Sequence, residues 1–251
     1  MNKNNWKSAL YCVVFCQIFV LPAASNSFAD QFNDFKSLVE RRLIKPFARD
    51  LGGVLGAGVT HYGRTLGFPG FDVGVHGSLQ AKPDMKNEIL RKTGADKFGI
   101  PWVQAEIGLP FRLDAVVHGI SAADINIAGG GLRYGIYRNT LFPFIPQVAV
   151  SVFADSLTHS CFSATHFSGN LMMSLGLPFV TPYAGVGVDR TRVTVRASTV
   201  DPALVGVSEA AVGTRLEFGL NVKPLPFVYL HGGYAWLHGQ SGYEAGLGLR
   251  F

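Results

Sequence analysis

The stretch "HFSGN" sets His166 and Ser168 two residues apart. On an extended strand that spacing puts both side chains on one face, where a base can activate a hydroxyl nucleophile. Ester hydrolysis is the chemistry such a pair does, but it also needs an acid to orient the histidine, and the sequence assigns none. His76, His118 and His231 raise metal ligation as a second chemistry. With His166 they lie on four separate segments without the short-range pairing that marks zinc motifs. They read as solitary histidines, and neither a metal nor another cofactor is expected. The runs "LGGVLGAG" and "AGGGLRYG" lack the lysine and helix context of a phosphate loop. They read as glycines that relieve crowding in a curved sheet.

The elements that must position these residues share one pattern. From residue 71 onward, ten stretches alternate apolar residues with polar or small ones, which is the period of a strand. They are "FDVGVHGSLQ", "WVQAEIGLPF", "RLDAVVHG", "GLRYGIYRN", "PQVAVSVFAD", "HFSGNLMMSLG", "VTPYAGVGVD", "AVGTRLEFGLN", "VYLHGGYAW" and "YEAGLGLRF". One parity carries residues such as Val73, Ile107, Leu132, Val152, Leu171, Val188, Phe218 and Leu230. The other collects Asp72, His76, Glu106, Arg112, Asp114, His118, Arg133, Asp155, His166, Asp189, Arg215, Glu217, His231, Glu244 and Arg250. Phe167, Leu171 and Met173 claim the apolar side of their strand, so His166 and Ser168 belong to the polar one.

Punctuation sorts the connections. Pro-Phe recurs at 110–111, 143–144, 178–179 and 226–227, with two strands in each interval. Short turns with aromatics on one rim, and longer connections (81–100, 122–125, 156–164, 197–206, 238–241) on the other, fit a transmembrane barrel. Charged residues are 16% of the 251, against about 25% in average soluble domains. Charges on a lipid-facing wall would each cost about 2–4 kcal/mol at mid-membrane, so the charged parity must face a lumen. The expected fold class is therefore all-β, a transmembrane antiparallel barrel of about ten strands over 71–251.

Before it, "MNKNNWKSAL", the apolar "LYCVVFCQIFVLPAA" and the small-x-small Ser27–Ala29 read as a signal peptide over 1–29. Cleavage near Ala29 removes Lys3, Lys7, Cys12 and Cys16. That leaves 20 basic residues against 17 acidic ones and a lone Cys161 in an outer connection, which excludes an internal disulfide framework. So mild a positive charge implies no nucleic acid. In residues 30–70, Phe32, Phe35, Leu38, Val39 and Leu43 have helical spacing, and Pro46 is expected to end or kink that helix. The Gly-rich remainder reads as irregular, in the lumen or under one mouth.

Together these features resemble Gram-negative-type outer-membrane β-barrel proteins. More loosely, "PFARDLGGVLGAGVTHYGRTLGFPGFDVGV" looks like the entry segment of small barrels grouped with fatty-acid-transporter-like proteins. The first resemblance implies the outer membrane as location, with its lipid, periplasmic chaperones and the barrel-assembly machinery as partners. It also implies an assembly signal at Tyr243, Gly246, Leu247, Leu249 and Phe251. Outer-membrane phospholipases and lipid A deacylases place a His and a Ser on the lipid-facing wall, unlike His166 and Ser168. The favoured function is a non-enzymatic narrow channel or transporter of a small, apolar solute. Alternatives are a surface interaction protein whose loops bind a host ligand, a structural barrel, or a lipid esterase.

Overall fold

A computed structural model describes residues 30–32, 34–93, 97–122, 124–137 and 145–251. The expected signal peptide and the Pro143–Phe144 turn lie outside these residues. Ten strands follow one another: β1 (Phe71–Gln80), β2 (Phe98–Leu109), β3 (Leu113–Ala122), β4 (Ile125–Tyr137) and β5 (Gln147–Thr158), then β6 (Phe162–Ser174), β7 (Val180–Val195), β8 (Ser208–Leu225), β9 (Val228–Leu237) and β10 (Gln240–Arg250). Each pairs antiparallel with its chain neighbours, and β1 pairs with β10, so the sheet closes. This is the expected fold class. Closure leaves no sheet edge with unpaired backbone groups, the condition for strands to cross a membrane.

The seam runs from Asp72↔Arg250 to Gln80↔Gly242. It is finished by Phe251, whose N–H donates to Phe71 O at 2.8 Å while Phe71 N–H donates back at 3.1 Å. The Phe251 ring stacks on Phe227 with centroids 5.4 Å apart. Deleting Phe251 removes both bonds and the stack. The expected result is a smaller heat-modifiable, folded fraction on gels; an unchanged fraction would show that the seam closes without it.

Connections 110–112, 175–179 and 226–227 share the rim with Phe251, as do the end of β4 at Tyr137 and the start of β5 at Gln147. Phe111, Phe179, Phe227 and Phe251 all point outward there. On the opposite rim the expected run of long connections is corrected. The 156–164, 122–125 and 238–241 connections shrink to 159–161, 123–124 and 238–239, and only 81–97 and 196–207 are long.

The shrinkage has a physical cause. Toward the loop rim the inward face turns apolar, with Phe98, Ile100, Ile125, Ile127, Leu157, Phe162, Ala164, Val193 and Val195 all buried. The outward face of the same strand ends carries Ser121, Asn126, Ser156, Thr158, Thr165, Arg190 and Arg192. Toward the turn rim the polarity is the reverse, apolar outside and charged inside. Crossing a membrane takes about 9–11 tilted residues, whereas β7 has 16 and β8 has 18. The excess on these strands is the part with soluble-protein polarity.

What fills that upper part is the N-terminal segment. It forms a short helix α1 (Phe35–Leu38), a break at Val39–Glu40, and helix α2 (Arg41–Gly56). Pro46, expected to end or kink the helix, sits inside α2 without ending it. The backbone bond Pro46 cannot donate would go to Arg42, whose exposed first turn leaves that carbonyl open to water. Phe32, Phe35, Phe47, Phe98 and Phe162 pack edge-on or tilted, with centroids 4.8–6.0 Å apart. Ile89 and Leu90 of helix α3 (Glu88–Lys92) join this core. Where α1 and α2 were expected to form one helix followed by an irregular stretch, α2 instead continues through Gly52, Gly53 and Gly56. An added Cβ at Gly52 would lie 2.2 Å from Thr191 Oγ1 on β7. Side-chain-free positions let the helix lie this close to the wall.

Candidate functional site

The N-terminal segment threads the barrel from rim to rim. At the loop rim Arg42 pairs with Glu88 at 2.7 Å, and Asp50 accepts from Gln80 Nε2 at 2.9 Å. Deeper, Gly58 N–H donates to Glu217 at 3.3 Å, and Gln104 Nε2 donates to Val59 O at 3.0 Å. At the turn rim Gly63 N–H reaches Ser174 Oγ at 3.0 Å, and Leu66 N–H reaches Asp114 Oδ1 at 3.0 Å. Below α2, wall side chains thus satisfy the backbone of a segment that has no ladder of its own, as buried amides require.

The lumen-facing charges gather chiefly around three arginines, Arg133, Arg215 and Arg250. Arg133 is buried; its guanidinium donates to Asp114 at 3.0 Å and to Glu106 at 2.5 Å. Arg215, also buried, donates to Asp189 at 2.7 Å, Glu217 at 2.8 Å and Asn170 at 2.5 Å. Arg250 crosses the seam to Asp72 at 2.6 Å, and Glu244 accepts from Tyr183. His118 Nε2 lies 2.8 Å from Asp155, not aimed for a hydrogen bond. One expected lumen residue is misplaced: Arg112 occupies the turn before β3 with a positive φ of 62° and is exposed, because β3 starts one residue later.

His166 and Ser168 do face inward and are buried. His166 Nδ1 lies 2.9 Å from Thr191 Oγ1, and Ser168 Oγ has no partner among the described residues. Asp189 and Asp155 lie 3.6 and 3.9 Å from His166 Nε2, acids that sequence spacing could not have assigned. The histidines are not all solitary. His76 Nδ1 lies 2.9 Å from His231 Nε2, and His61, unremarked in the sequence, stacks on His231 at 4.1 Å. His76 and His231 both stand beside Gly246, on strands either side of β10. That proximity exists only once the first and last strands meet.

At the loop rim, helices α2 and α3 are tied by surface pairs to Glu88. Arg42, then Lys92, holds the Glu88 carboxyl down to about 2. Burial at the loop rim lowers the pKa of His159 below the ordinary histidine value. Cys161 is buried beside it with a free thiol.

No protein-family model matches the chain, and no curated protein matches it in sequence. Among solved structures, the N-terminal barrel domain of Pseudomonas aeruginosa OprF matches at 12% identity, with a TM-score of 0.37, over 72% of this chain and 97% of that one. Neisserial surface protein A matches at 14% identity, TM-score 0.31, over 72% and 95%. Ail of Yersinia pestis matches at 12% identity, TM-score 0.26, over 73% and 100%. The chain is a β-barrel of the outer-membrane type. Its own wall carries that statement. Val103, Ile107, Val117, Val152, Phe167, Val188, Val212 and Phe218 face outward and exposed around the barrel, with exposed phenylalanines at the turn rim and Tyr234, Trp236 and Tyr243 toward the loop side of β9 and β10, an apolar lipid-facing band edged by aromatics.

Proposed function

We propose that this protein is a non-enzymatic outer-membrane barrel, sealed by its own N-terminal segment, that serves as a surface interaction module. The turn rim, where the C-terminal strand ends, faces the periplasm, and the loop rim faces outward. The observation that carries this reading is the reversal of polarity along the strands. A membrane-type barrel below supports a soluble-type head above, built on the Phe32–Phe35–Phe47–Phe98–Phe162 core. A hydrophobic core wedged across the lumen favours this reading over the narrow channel that the charged parity suggests.

The head's outer face is basic. Lys36, Arg41, Lys45, Lys82, Lys86, Arg91, Lys92, Lys97, Arg192 and Arg196 are exposed, against exposed Asp34, Glu40, Asp124 and Asp201. Such a field favours an anionic partner at the cell surface and makes binding salt-sensitive. The refolded full-length protein should leave planar bilayers silent and should bind dextran sulfate in a manner that weakens as salt rises. Stepwise currents from the unmodified protein, or salt-insensitive binding, would overturn the reading.

A further inference from the structure

His61, His76 and His231 come from three separate pieces of the molecule: the threaded segment, the first strand and the ninth. Each offers a ring nitrogen within 4.8 Å of the others, and all three are buried. Both nitrogens of His61 and Nδ1 of His231 have no hydrogen-bond partner among the described residues. Buried imidazole nitrogens seldom go without one. We propose that these three histidines form a binding site for a first-row divalent cation of the zinc type, which fastens the threaded segment to the closing seam of the barrel.

The surroundings meet what a metal site needs. Tyr229 O–H donates to Asp72 Oδ1 at 2.9 Å, and the Tyr229 oxygen lies 3.3 Å from His76 Nε2. With the tyrosine proton committed to Asp72, its oxygen accepts from His76 Nε2–H. That assigns the lone pair of His76 to Nδ1, the nitrogen facing His231. A ligand histidine held through its other nitrogen by a carboxylate relay is the usual outer support of a metal site. Space is provided by glycine. A Cβ at Gly246 would lie 2.2 Å from His231 Nε2 and 2.7 Å from His76 Nδ1, and one at Gly74 would lie 2.8 Å from His76 Nε2.

Three imidazoles match zinc, nickel or copper better than calcium or magnesium, which prefer oxygen. Zinc–nitrogen bonds of about 2.0–2.1 Å in a tetrahedron set the nitrogens about 3.3 Å apart by that geometry. The 2.9 Å His76–His231 contact therefore opens slightly on binding. His61 turns from its stack so that its lone pair converges with theirs, and the His231 proton resides on Nδ1. The nearby Arg250 guanidinium is held by Asp72, which offsets its repulsion of a cation. A cavity of about 320 Å³ at the turn rim has Arg250 and Tyr229, the tyrosine beside His76, in its lining.

The test uses the untagged full-length barrel, refolded in detergent and stripped with a chelator. Calorimetric titration with zinc chloride should give one saturable site per chain. Cobalt(II) should develop the visible absorption of a tetrahedral nitrogen site, and zinc should raise the unfolding temperature. His61→Ala should lose all three responses and still show the heat-modifiable mobility of a folded barrel, because His61 lies outside the strands. Tyr229→Phe should bind zinc about 10–100-fold more weakly through loss of the relay, and His159→Ala should bind like the parent. Absence of saturable binding, or His61→Ala binding zinc as the parent does, would overturn the proposal.

Discussion

Replacing Arg215 by methionine is expected to lower the unfolding free energy of the barrel by about 3–5 kcal/mol, the usual loss when one member of a buried ion pair is removed. The Arg215 side chain is completely buried, and its planar fork satisfies Asp189, Glu217 and Asn170 at once. Methionine fills much of the volume but leaves two carboxylates without their cation in a site closed to water. Asp189 keeps only histidines, His238 at 2.8 Å and His166 at 3.6 Å, and Glu217 keeps the Gly58 amide at 3.3 Å and its hydrogen bond with the Glu244 carboxyl, none of them a permanent cation. Heat-modifiable mobility in detergent should shift down by roughly 10 °C, from about 2–4 °C per kcal/mol at this chain length. Arg215→Lys should recover only part, because an ammonium cannot reproduce three directed bonds. Adding Asp189→Asn and Glu217→Gln to Arg215→Met should restore most of the loss, since the cost lies in the unpaired charges. A shift of no more than a few degrees in the single variant would contradict this account.

The lower half of the molecule was legible in the sequence because one physical condition governs it. Lipid outside and charge inside write themselves as alternation, so β1 and the middles of β2 to β10 could be read along the chain. At the loop rim the solvent outside is water. Ile125 and Ile127 on β4, or Val193 and Val195 on β7, turn inward while their outward neighbours become asparagine, threonine and arginine. The alternation continues with its meaning inverted, so the strand ends looked like loops. The glycines of "LGGVLGAG" likewise carry two readings. They weaken a helix in isolation, yet they are what allows α2 to lie inside a barrel. The grouping of His61, His76 and His231 needed the register of β1 on β10 and β10 on β9, which no local pattern encodes. Arg112 was misassigned by a single residue, the least shift that moves a side chain off the lumen face.

Gly56→Leu is expected to expel α2 from the lumen while leaving the strands paired. Gly56 ends the helix at the level of the Arg215 cluster. A Cβ there would lie 2.6 Å from Asp189 Oδ1, 2.7 Å from Arg215 Cζ and 2.8 Å from Arg215 Nε. The Arg215 guanidinium is held by Asp189 and Glu217, and the Asp189 carboxylate is anchored through Oδ2 by Arg215 and His238, so neither group retreats freely. Overpacking by a methylene or two ordinarily costs about 1–3 kcal/mol, and leucine adds a branched side chain where not even its first carbon fits. The relief open to the molecule is withdrawal of the helix, since the segment below it, 57–66, is held by side-chain hydrogen bonds to its backbone and by ring contacts of His61 and Tyr62 rather than by a ladder. The barrel ladder does not run through that segment, so folding measured by gel mobility should persist. The sealed lumen should not. Planar bilayers that stay silent with the parent should show stepwise currents with the variant, and trypsin should cut at Arg49, which in the parent donates to His238 O at 2.7 Å. Gly169→Ala is the matched control: an added Cβ there meets nothing within 4 Å, so it should remain silent and resistant. Silence and resistance in Gly56→Leu as well would mean that the lumen yields more readily than its ion pairs imply, and that the head does not depend on the helix to stay seated.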